Sequence, residues 1–387
     1  MTAASPTGGP RVLFVQHTHP GAYPPIEHAA RLLAAAGASV HLIGVALLRG
    51  VDVAPHDRLA IDLLPAPRGG WRLHLAFLRF IWRVCVRVVK DRPDWIYASD
   101  PLSTPAVWLA TRLVRSRCAY HEHDAPEGAR GRAAAIVQRC RQRLARRADL
   151  CIAPSAGRAT ILRQATGRSD IEVVWNTPVL AEVAGARTPR PGGTRLLYHG
   201  SIVPARVPET LLHALAQLPA SVSLRLTGYD PSGGRYLARL VALADALGLA
   251  DRVEVVGLVA TRAEVMRQCA DGDVGLALLP LASTSVNERT MLGASNKVFD
   301  YLACGLAVVV PDLPDWRETF VTPGYGVACD PASVESLVAA LGSLDADPAA
   351  RQAMGERGRQ RILADWHYER SFAAVRARLL SAETGAR

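Results

Sequence analysis

Residues 294–310 read ASNKVFDYLACGLAVVV. The stretch divides into a short helix, Lys297 to Ala303, and an apolar run, Leu306 to Val310, with the composition of a strand buried on both faces. Ser295 or Asn296 stands where a side chain can cap the helix. The free N–H groups of the first turn, with the Lys297 ammonium, make a place for a diphosphate. Asp300 lies one turn on, on the face of Lys297, where a carboxylate can take the two hydroxyls of a ribose. Among 45 basic residues only Lys90 and Lys297 are lysines, which points to a specific need for a compact point charge. A capped surface helix carrying a solvated Lys297–Asp300 pair accounts for the same spacing.

Outward from this stretch the same alternation fills the chain. Arg11 to Gln16 reads as a buried strand, Ile26 to Ala36 as a helix ended by Gly37, and Ser39 to Ile43 as the next strand, the opening of a parallel α/β layer. Trp95 to Ala98, Cys118 to His121, Leu150 to Ala153 and Ile171 to Trp175 continue it. Residues 181–194, rich in Pro, Gly and Ala, read as a linker. A second layer follows, with strands at Arg195 to His199, Val222 to Thr227, Val253 to Val256, Val274 to Leu279 and Leu306 to Val310. Its helices are Pro208 to Leu218 and Tyr236 to Leu247, and at the end of the chain Pro331 to Leu344, Pro348 to Trp366 and Glu369 to Leu380. The 387 residues thus form two α/β domains of similar size, 1–180 and 195–365, with 366–387 as a terminal helix. A ligand is expected in a cleft between them.

Composition excludes several classes. Hydrophobic residues make up 49% and charged residues 21%, the balance of a globular chain rather than a disordered one. No apolar run is long enough to cross a membrane, and residues 1–10 lack the charged and apolar regions of a signal peptide. The seven cysteines, without a CxxC pair, suit free thiols in a reducing cytoplasm. Net charge is +10, but residues 1–180 hold 24 Lys/Arg against 13 Asp/Glu, and the remainder 21 against 22. The positive excess therefore belongs to the first half, which suggests an anionic surface or substrate there. Within Trp71 to Arg92 a basic stripe (Arg72, Arg79, Arg83, Arg87, Lys90) runs beside an apolar one (Leu75, Leu78, Trp82, Cys85, Val89), and residues 130–147 hold seven arginines and no acid. Such a helix suits an anionic membrane interface; equally, its apolar side can pack on the sheet. No nucleic-acid recognition module is visible. Asp271-Gly272-Asp273 has the form of a metal-binding DxD, but it precedes a strand and reads as structural, so no metal is expected.

Residues 294–310 resemble the PNKLFEYLAAGLPVV signature of family 4 of the retaining glycosyltransferases (group 1, GT-B fold). The resemblance covers nearly the whole chain in order: Tyr198 to Arg206 as the first strand and phosphate loop of the C-terminal domain, Leu226-Thr227-Gly228 and Val255 to Val259 as nucleotide-contacting strand ends, Gly324 to Val327 as a later strand, and Trp366 with the last helix, which in this fold crosses back onto the N-terminal domain. It implies two Rossmann-like domains facing each other across a cleft, the first binding the acceptor and the second the nucleotide sugar. It implies Lys297 and Arg206 on the donor diphosphate, Asp300 on the ribose, Gly21 passing close to the diphosphate, Gly228 near the base, and His123 of His121-Glu122-His123-Asp124 at the reacting sugar, with His121 as the lesser candidate. Three positions depart from the family pattern. Asp300 stands for a glutamate, Leu292 for the first residue of its usual carboxylate pair, and Ser201 for an arginine.

The activity implied is retaining transfer of a sugar from a nucleotide-diphosphate donor to an acceptor hydroxyl, in glycan, glycolipid or glycosylated-metabolite biosynthesis. Fixed cations and helix N–H groups rather than a metal would stabilise the leaving diphosphate, and the nucleotide sugar is a substrate, so no cofactor is expected. The acceptor is expected to be lipid-linked or anionic, and the protein cytoplasmic, peripheral on the inner face of the cell membrane. The alternatives are a nucleotide-sugar epimerase and a catalytically degenerate sugar-nucleotide-binding protein.

Overall fold

The computed structural model describes residues 9–47, 50–66, 69–128, 131–186 and 192–381. These form two compact units: residues 1–176 with 285–294 and 368–387, and residues 177–284 with 295–367. Ten residues from the second half of the sequence and the chain's last segment thus belong with the first unit.

The first unit is built on seven parallel strands: β1 (Arg11–Gln16), β2 (Ser39–Ala46), β3 (Leu59–Pro65), β4 (Trp95–Ser99), β5 (Arg117–His121), β6 (Leu150–Ala153) and β7 (Glu172–Val173). Their order in the sheet is β3-β2-β1-β4-β5-β6-β7. The direction of winding therefore reverses between β1 and β4, and the carboxyl ends of those two strands are where an open parallel sheet leaves room for a ligand. Five helices connect the strands: α1 (Pro24–Ala35), α2 (Arg72–Asp91), α3 (Thr104–Leu113), α4 (Arg132–Arg147) and α5 (Ala156–Thr166). Leu13, Val15, Ile96, Ala98 and Tyr120 of the central strands meet Phe80, Val84, Val107 and Leu144 of the helices in one core.

The second unit repeats the scheme with six parallel strands: β8 (Arg195–Ser201), β9 (Ser223–Tyr229), β10 (Val253–Gly257), β11 (Val274–Leu276), β12 (Ala307–Pro311) and β13 (Gly326–Cys329), in the order β10-β9-β8-β11-β12-β13. Its helices are α6 (Thr210–Gln217), α7 (Arg235–Ala246) and α8 (Arg262–Ala270). After α9 (Val286–Arg289), which lies in the first unit, come α10 (Asn296–Ala303), α11 (Pro314–Trp316), α12 (Val334–Ala346) and α13 (Pro348–Ala364). Then α14 (Tyr368–Ser371) and α15 (Ala373–Leu380) pack on α1, where the Tyr368 hydroxyl donates to the Pro25 carbonyl at 3.1 Å.

Several elements differ from the expected ones. Helix α8 carries too many polar residues for an apolar pattern to reveal it, and the edge strand β3, apolar but largely exposed, was not among the expected strands. The expected strand at Ile171 to Trp175 pairs over two residues, because the chain leaves the sheet for the second unit at Thr177. The final helix breaks at Phe372. In the expected linker, Leu180–Glu182 forms one 3-10 turn and the Ala184 N–H donates to Ala303; residues 187–191 lie outside the described residues.

Candidate functional site

In the second unit the carboxyl ends of three neighbouring strands finish in left-handed glycines: Gly200 (φ +117°), Gly228 (φ +138°) and Gly257 (φ +82°). Gly200 and Gly228 face each other in register, and a Cβ on Gly228 would sit 1.9 Å from the Gly200 carbonyl oxygen. Only glycine lets these strand ends approach so closely. Lys297 folds over this platform. Its ammonium would lie 2.8 Å from a Cβ on Gly200, and 5.8 Å separate it from the Tyr198 ring. It is buried to all but 9% of its surface. Arg206, half-buried in the turn after β8, also acts on the Tyr198 hydroxyl, whose pKa burial raises and Arg206 lowers. Of the two cations expected on a diphosphate, Lys297 lies over the Tyr198 ring and Arg206 acts on that tyrosine through space.

The helix that carries Lys297 is open at its start. Ser295 occupies the N-cap position of α10, yet no side chain caps the first turn. The expected cap from Ser295 or Asn296 does not form, because the Asn296 amide turns inward and donates to Asp300 Oδ2 at 2.9 Å. Ser295 and Asn296 thus make no side-chain cap on the start of α10.

Asp300 departs furthest from expectation. It is fully buried, and the Arg262 guanidinium grips both its oxygens at 2.6 and 2.5 Å. Arg262 also holds Glu182 at 2.9 and 3.0 Å, and His199 Nε2 lies 3.2 Å from Asp300 Oδ2. Burial pushes the carboxyl up, but Arg262 and His199 outweigh it, so the pKa lies below its usual value. Such a carboxylate is the centre of an ion network and does not face outward to a ribose, nor does it pair with Lys297 on a solvated surface. No sequence signal announced Arg262 or Glu182, which come from a polar helix and from the segment expected as a linker.

In the first unit, β5 ends in His121 and the chain turns through His123. Both rings are buried and stack with centroids 3.8 Å apart, and Tyr23 approaches His123 at 5.8 Å. His121 Nδ1 bonds the Tyr97 hydroxyl at 2.7 Å, whereas neither ring nitrogen of His123 has a hydrogen-bond partner among the described residues. Desolvation lowers the His123 pKa to about 4, with Asp124 opposing and Arg158 assisting. Glu122, between the histidines, points into the core and makes a two-pronged pair with Arg141 at 2.5 and 2.6 Å. Arg141 is therefore buried, not part of a basic surface.

Three residues that the sequence did not single out hold this turn. Asp100, at the end of β4, adopts φ +64°, a conformation costly for a non-glycine residue. Its Oδ1 accepts the N–H groups of His123 (2.8 Å) and Asp124 (3.3 Å). Burial first, then Asp124, raise its pKa to about 7. Arg158 donates to the His123 carbonyl and, at 2.6 Å, to Asp124 Oδ1. It also reaches the Asn287 carbonyl at 3.1 Å, which ties the turn to the excursion 285–294. Gly21 lies in a 3-10 turn with ordinary φ; a side chain there would meet Val51 and Asp52 at 2.9 and 3.0 Å, so glycine is set by that contact.

Two further expectations meet definite contacts. Asp271 pairs with Arg195 at 2.5 Å and with Arg225, and Asp273 accepts the Arg195 N–H at 2.9 Å, so the DxD run joins strands. Helix α2 turns Phe80, Val84 and Val88 to the core, and the stripe Leu75, Leu78, Trp82 and Val89 faces outward, Leu78 being 60% and Trp82 64% exposed. The apolar stripe does not pack on the sheet. Arg83 and Arg87 are held by Asp62 and Asp91, which leaves Arg72, Arg79 and Lys90 of the basic stripe without a carboxylate partner among the described residues. Arg130 lies outside the described residues.

Residues 21–177 match the family described as "Glycosyl transferase 4-like domain", and residues 202–377 match "Glycosyl transferase-like". The chain belongs to the group 1 glycosyltransferases of family 4. A GDP-mannose-dependent alpha-(1-6)-phosphatidylinositol monomannoside mannosyltransferase of Mycolicibacterium smegmatis is 30% identical over 190 residues, 48% of this chain and 47% of that protein. The match thus spans about half the length of that curated relative. Sucrose-phosphate synthase from Thermosynechococcus elongatus is similar in structure with a TM-score of 0.70 at 19% identity, over 96% of this chain and 97% of the other. Anabaena HepE in complex with UDP and glucose gives 0.70 at 19% identity, over 96% and 99%. The fold of this glycosyltransferase chain is GT-B, with sheets of seven and six parallel strands. Among the described residues no helix is long and apolar enough to cross a membrane.

Proposed function

We propose that this chain transfers a sugar from a nucleoside-diphosphate sugar to an acceptor hydroxyl, with retention at the anomeric carbon and without a metal. The observation that carries this reading is the Lys297 ammonium at the uncapped start of α10, over the glycine ends of β8 and β9, with Arg206 acting on the same tyrosine. As the bond from the anomeric carbon to the diphosphate breaks, its electron pair leaves on the diphosphate. Lys297, Arg206 and the first N–H groups of α10 are fixed charges and dipoles that meet that developing charge. His123 works as a neutral ring: with a pKa near 4 it gives or takes a hydrogen bond with a sugar hydroxyl and carries no proton to lose at neutral pH. Asp100 and Arg158 position that ring by holding its backbone on both sides. With Asp300 engaged by Arg262, backbone groups near Gly228 are left to meet the nucleoside. The acceptor is lipid-linked, and the exposed stripe of α2 rests on an anionic membrane surface.

The test is a panel of nucleotide sugars read by mass spectrometry. Slow donor hydrolysis, accelerated by acceptor and lost in Lys297→Ala, is expected. An isomerised donor would make the protein an epimerase. Tight donor binding with neither hydrolysis nor transfer across the panel would make it a degenerate binding protein.

A further inference from the structure

The first unit carries a second basic site, at the end of its sheet away from His123. A cavity of about 770 Å³ opens at the amino end of β5, where Cys118 lies, between the carboxyl ends of α3 and α4 and beside Arg378 of α15. Five arginines line it against two aspartates, Asp149 and Asp170. Neither aspartate neutralises the cluster. Asp170 is taken by Arg168 at 2.5 Å, and Asp149 Oδ2 accepts the Cys118 N–H at 2.8 Å. The remaining four, Arg112, Arg146, Arg147 and Arg378, have no carboxylate partner among the described residues. Three of them spend their donors on carbonyls: Arg112 on Trp108 (2.6 Å), Arg146 on Thr166 (2.5 Å) and Arg378 on Asp149 (2.8 Å). Part of the charge answers the partial negative ends of α3 and α4, roughly half a charge each. That leaves an excess.

The excess is organised. Arg112 lies 3.5 Å from the Trp108 ring and Arg147 5.2 Å from the same ring, so two like charges converge on one indole. Some arginines elsewhere in this chain do find carboxylates: Arg83 has Asp62 and Arg317 has Asp312. Unneutralised guanidiniums around a concave aromatic floor are the pattern that binds a phosphate, two-pronged and with a hydrophobic platform for what the phosphate is attached to. The volume falls within the range of small-ligand sites, well beyond that of a lone phosphate ion.

We propose that this cavity binds a phosphate-bearing organic anion, at a site separate from the donor diphosphate. The shared chemistry is a phosphate monoester or diester, supplied either by a soluble phosphorylated metabolite or by a phospholipid headgroup.

Hydrogen–deuterium exchange on the full-length chain locates the ligand, and three probes distinguish its source: pyrophosphate, glucose 6-phosphate, and phosphatidylglycerol vesicles with phosphatidylcholine vesicles as the uncharged control. The expected result is slower exchange over residues 108–118 and 144–149, reversed by salt and weakened at least tenfold in Arg112→Gln/Arg147→Gln. Arg147→Gln alone, at an exposed side chain without hydrogen bonds, is the version that leaves the fold untouched. Protection by the soluble probes assigns a metabolite; protection by phosphatidylglycerol alone assigns a headgroup. Protection confined to 295–300 or to 72–91 reports the donor site or the docking of α2 and overturns the proposal. So does protection of the cavity segments that both arginine variants retain.

Discussion

The two units share a parallel sheet and a switch point, yet they treat charge in opposite ways. The second unit gathers it: Asp300, Arg262, Glu182 and His199 form one closed network beneath α10, and Lys297 sits above it at a helix start. The first unit pairs off the charge at its centre, Glu122 with Arg141, and leaves the histidine rings at its sheet end neutral. His123 is buried, neutral and without a hydrogen-bond partner at either nitrogen among the described residues, and the arginines of α2 stand beside exposed leucine and tryptophan. The difference follows from what each sheet end is built of. Glycine strand ends and a helix N-terminus offer fixed dipoles to an anion, whereas a ring of histidines and tyrosines offers hydrogen bonds to neutral hydroxyls.

Opening the closed network is the most damaging way to break this comparison. Arg262→Met leaves Asp300 fully buried without its main counter-charge and takes from Glu182 its two bonds to the same guanidinium. Removing one partner of a buried pair costs about 3–5 kcal/mol. Thermal unfolding should show a large fall, with donor binding lost as a consequence rather than at constant stability. Unchanged unfolding with weaker donor binding would return Asp300 to the ribose role expected from its motif.

The neutral histidine gives the next effect, and its sign is the same as that of a salt-bridged carboxylate, because in both the folded-state pKa lies below the unfolded one. His123 has a pKa near 4, below the ordinary 6.5, so below pH 6.5 the unfolded chain takes up a proton that the folded one refuses. Stability is therefore complete above pH 6.5 and lost as pH falls toward 4, by about 3 kcal/mol at most from this residue, since each pKa unit is worth about 1.4 kcal/mol. His123→Gln should flatten that slope in denaturant titrations at pH 7 and pH 5, and should lower turnover far more than donor affinity. An equal slope in wild type and variant would show that the ring titrates freely.

These two residues also mark how far the sequence could be read. The central strands of both units and the helix–strand stretch 294–310 were legible because buried parallel strands are continuous apolar runs and because the motif is contiguous. Lys297 was singled out by its place at the start of a helix, and Gly228 and His123 by the family resemblance. Arg262, Glu182, Asp100 and Arg158 were not legible: each acts from a different loop or helix, and polar residues brought together across 23 to 129 positions leave no periodicity. Asp300 misled for the same reason, since its helical spacing from Lys297 is real while its partner lies elsewhere. The outward stripe of α2 was visible as a pattern, but which of its two apolar faces meets the core depended on Phe80, Val84 and Val88.

A smaller effect sharpens the donor side. Lys297→Ala should cost roughly 1.5–3 kcal/mol of transition-state stabilisation, one to two decades in rate. Arg206→Ala should cost less, because Arg206 is half-buried and does not stand at a helix start. Both follow from kcat/KM with intact folding by circular dichroism. Near-wild-type turnover in both would move the diphosphate away from α10.

The smallest effect per residue concerns the outer face of the first unit. Arg72 and Arg79 of α2 lack carboxylate partners among the described residues, while Arg83 and Arg87 are neutralised by Asp62 and Asp91. Near an anionic bilayer each open arginine contributes about 1 kcal/mol, screened by salt. Leu75, Leu78, Trp82 and Val89 add apolar surface that would enter the interface. Sedimentation with anionic vesicles at low salt should therefore be weakened by Arg72→Glu/Arg79→Glu and by Leu78→Ser/Trp82→Ser, each severalfold, and hardly by Arg83→Gln. High salt should abolish the first dependence and spare part of the second, because the apolar contribution is not screened. Binding that ignores both pairs of substitutions would leave α2 a solvent-facing helix and move any membrane contact of this unit elsewhere.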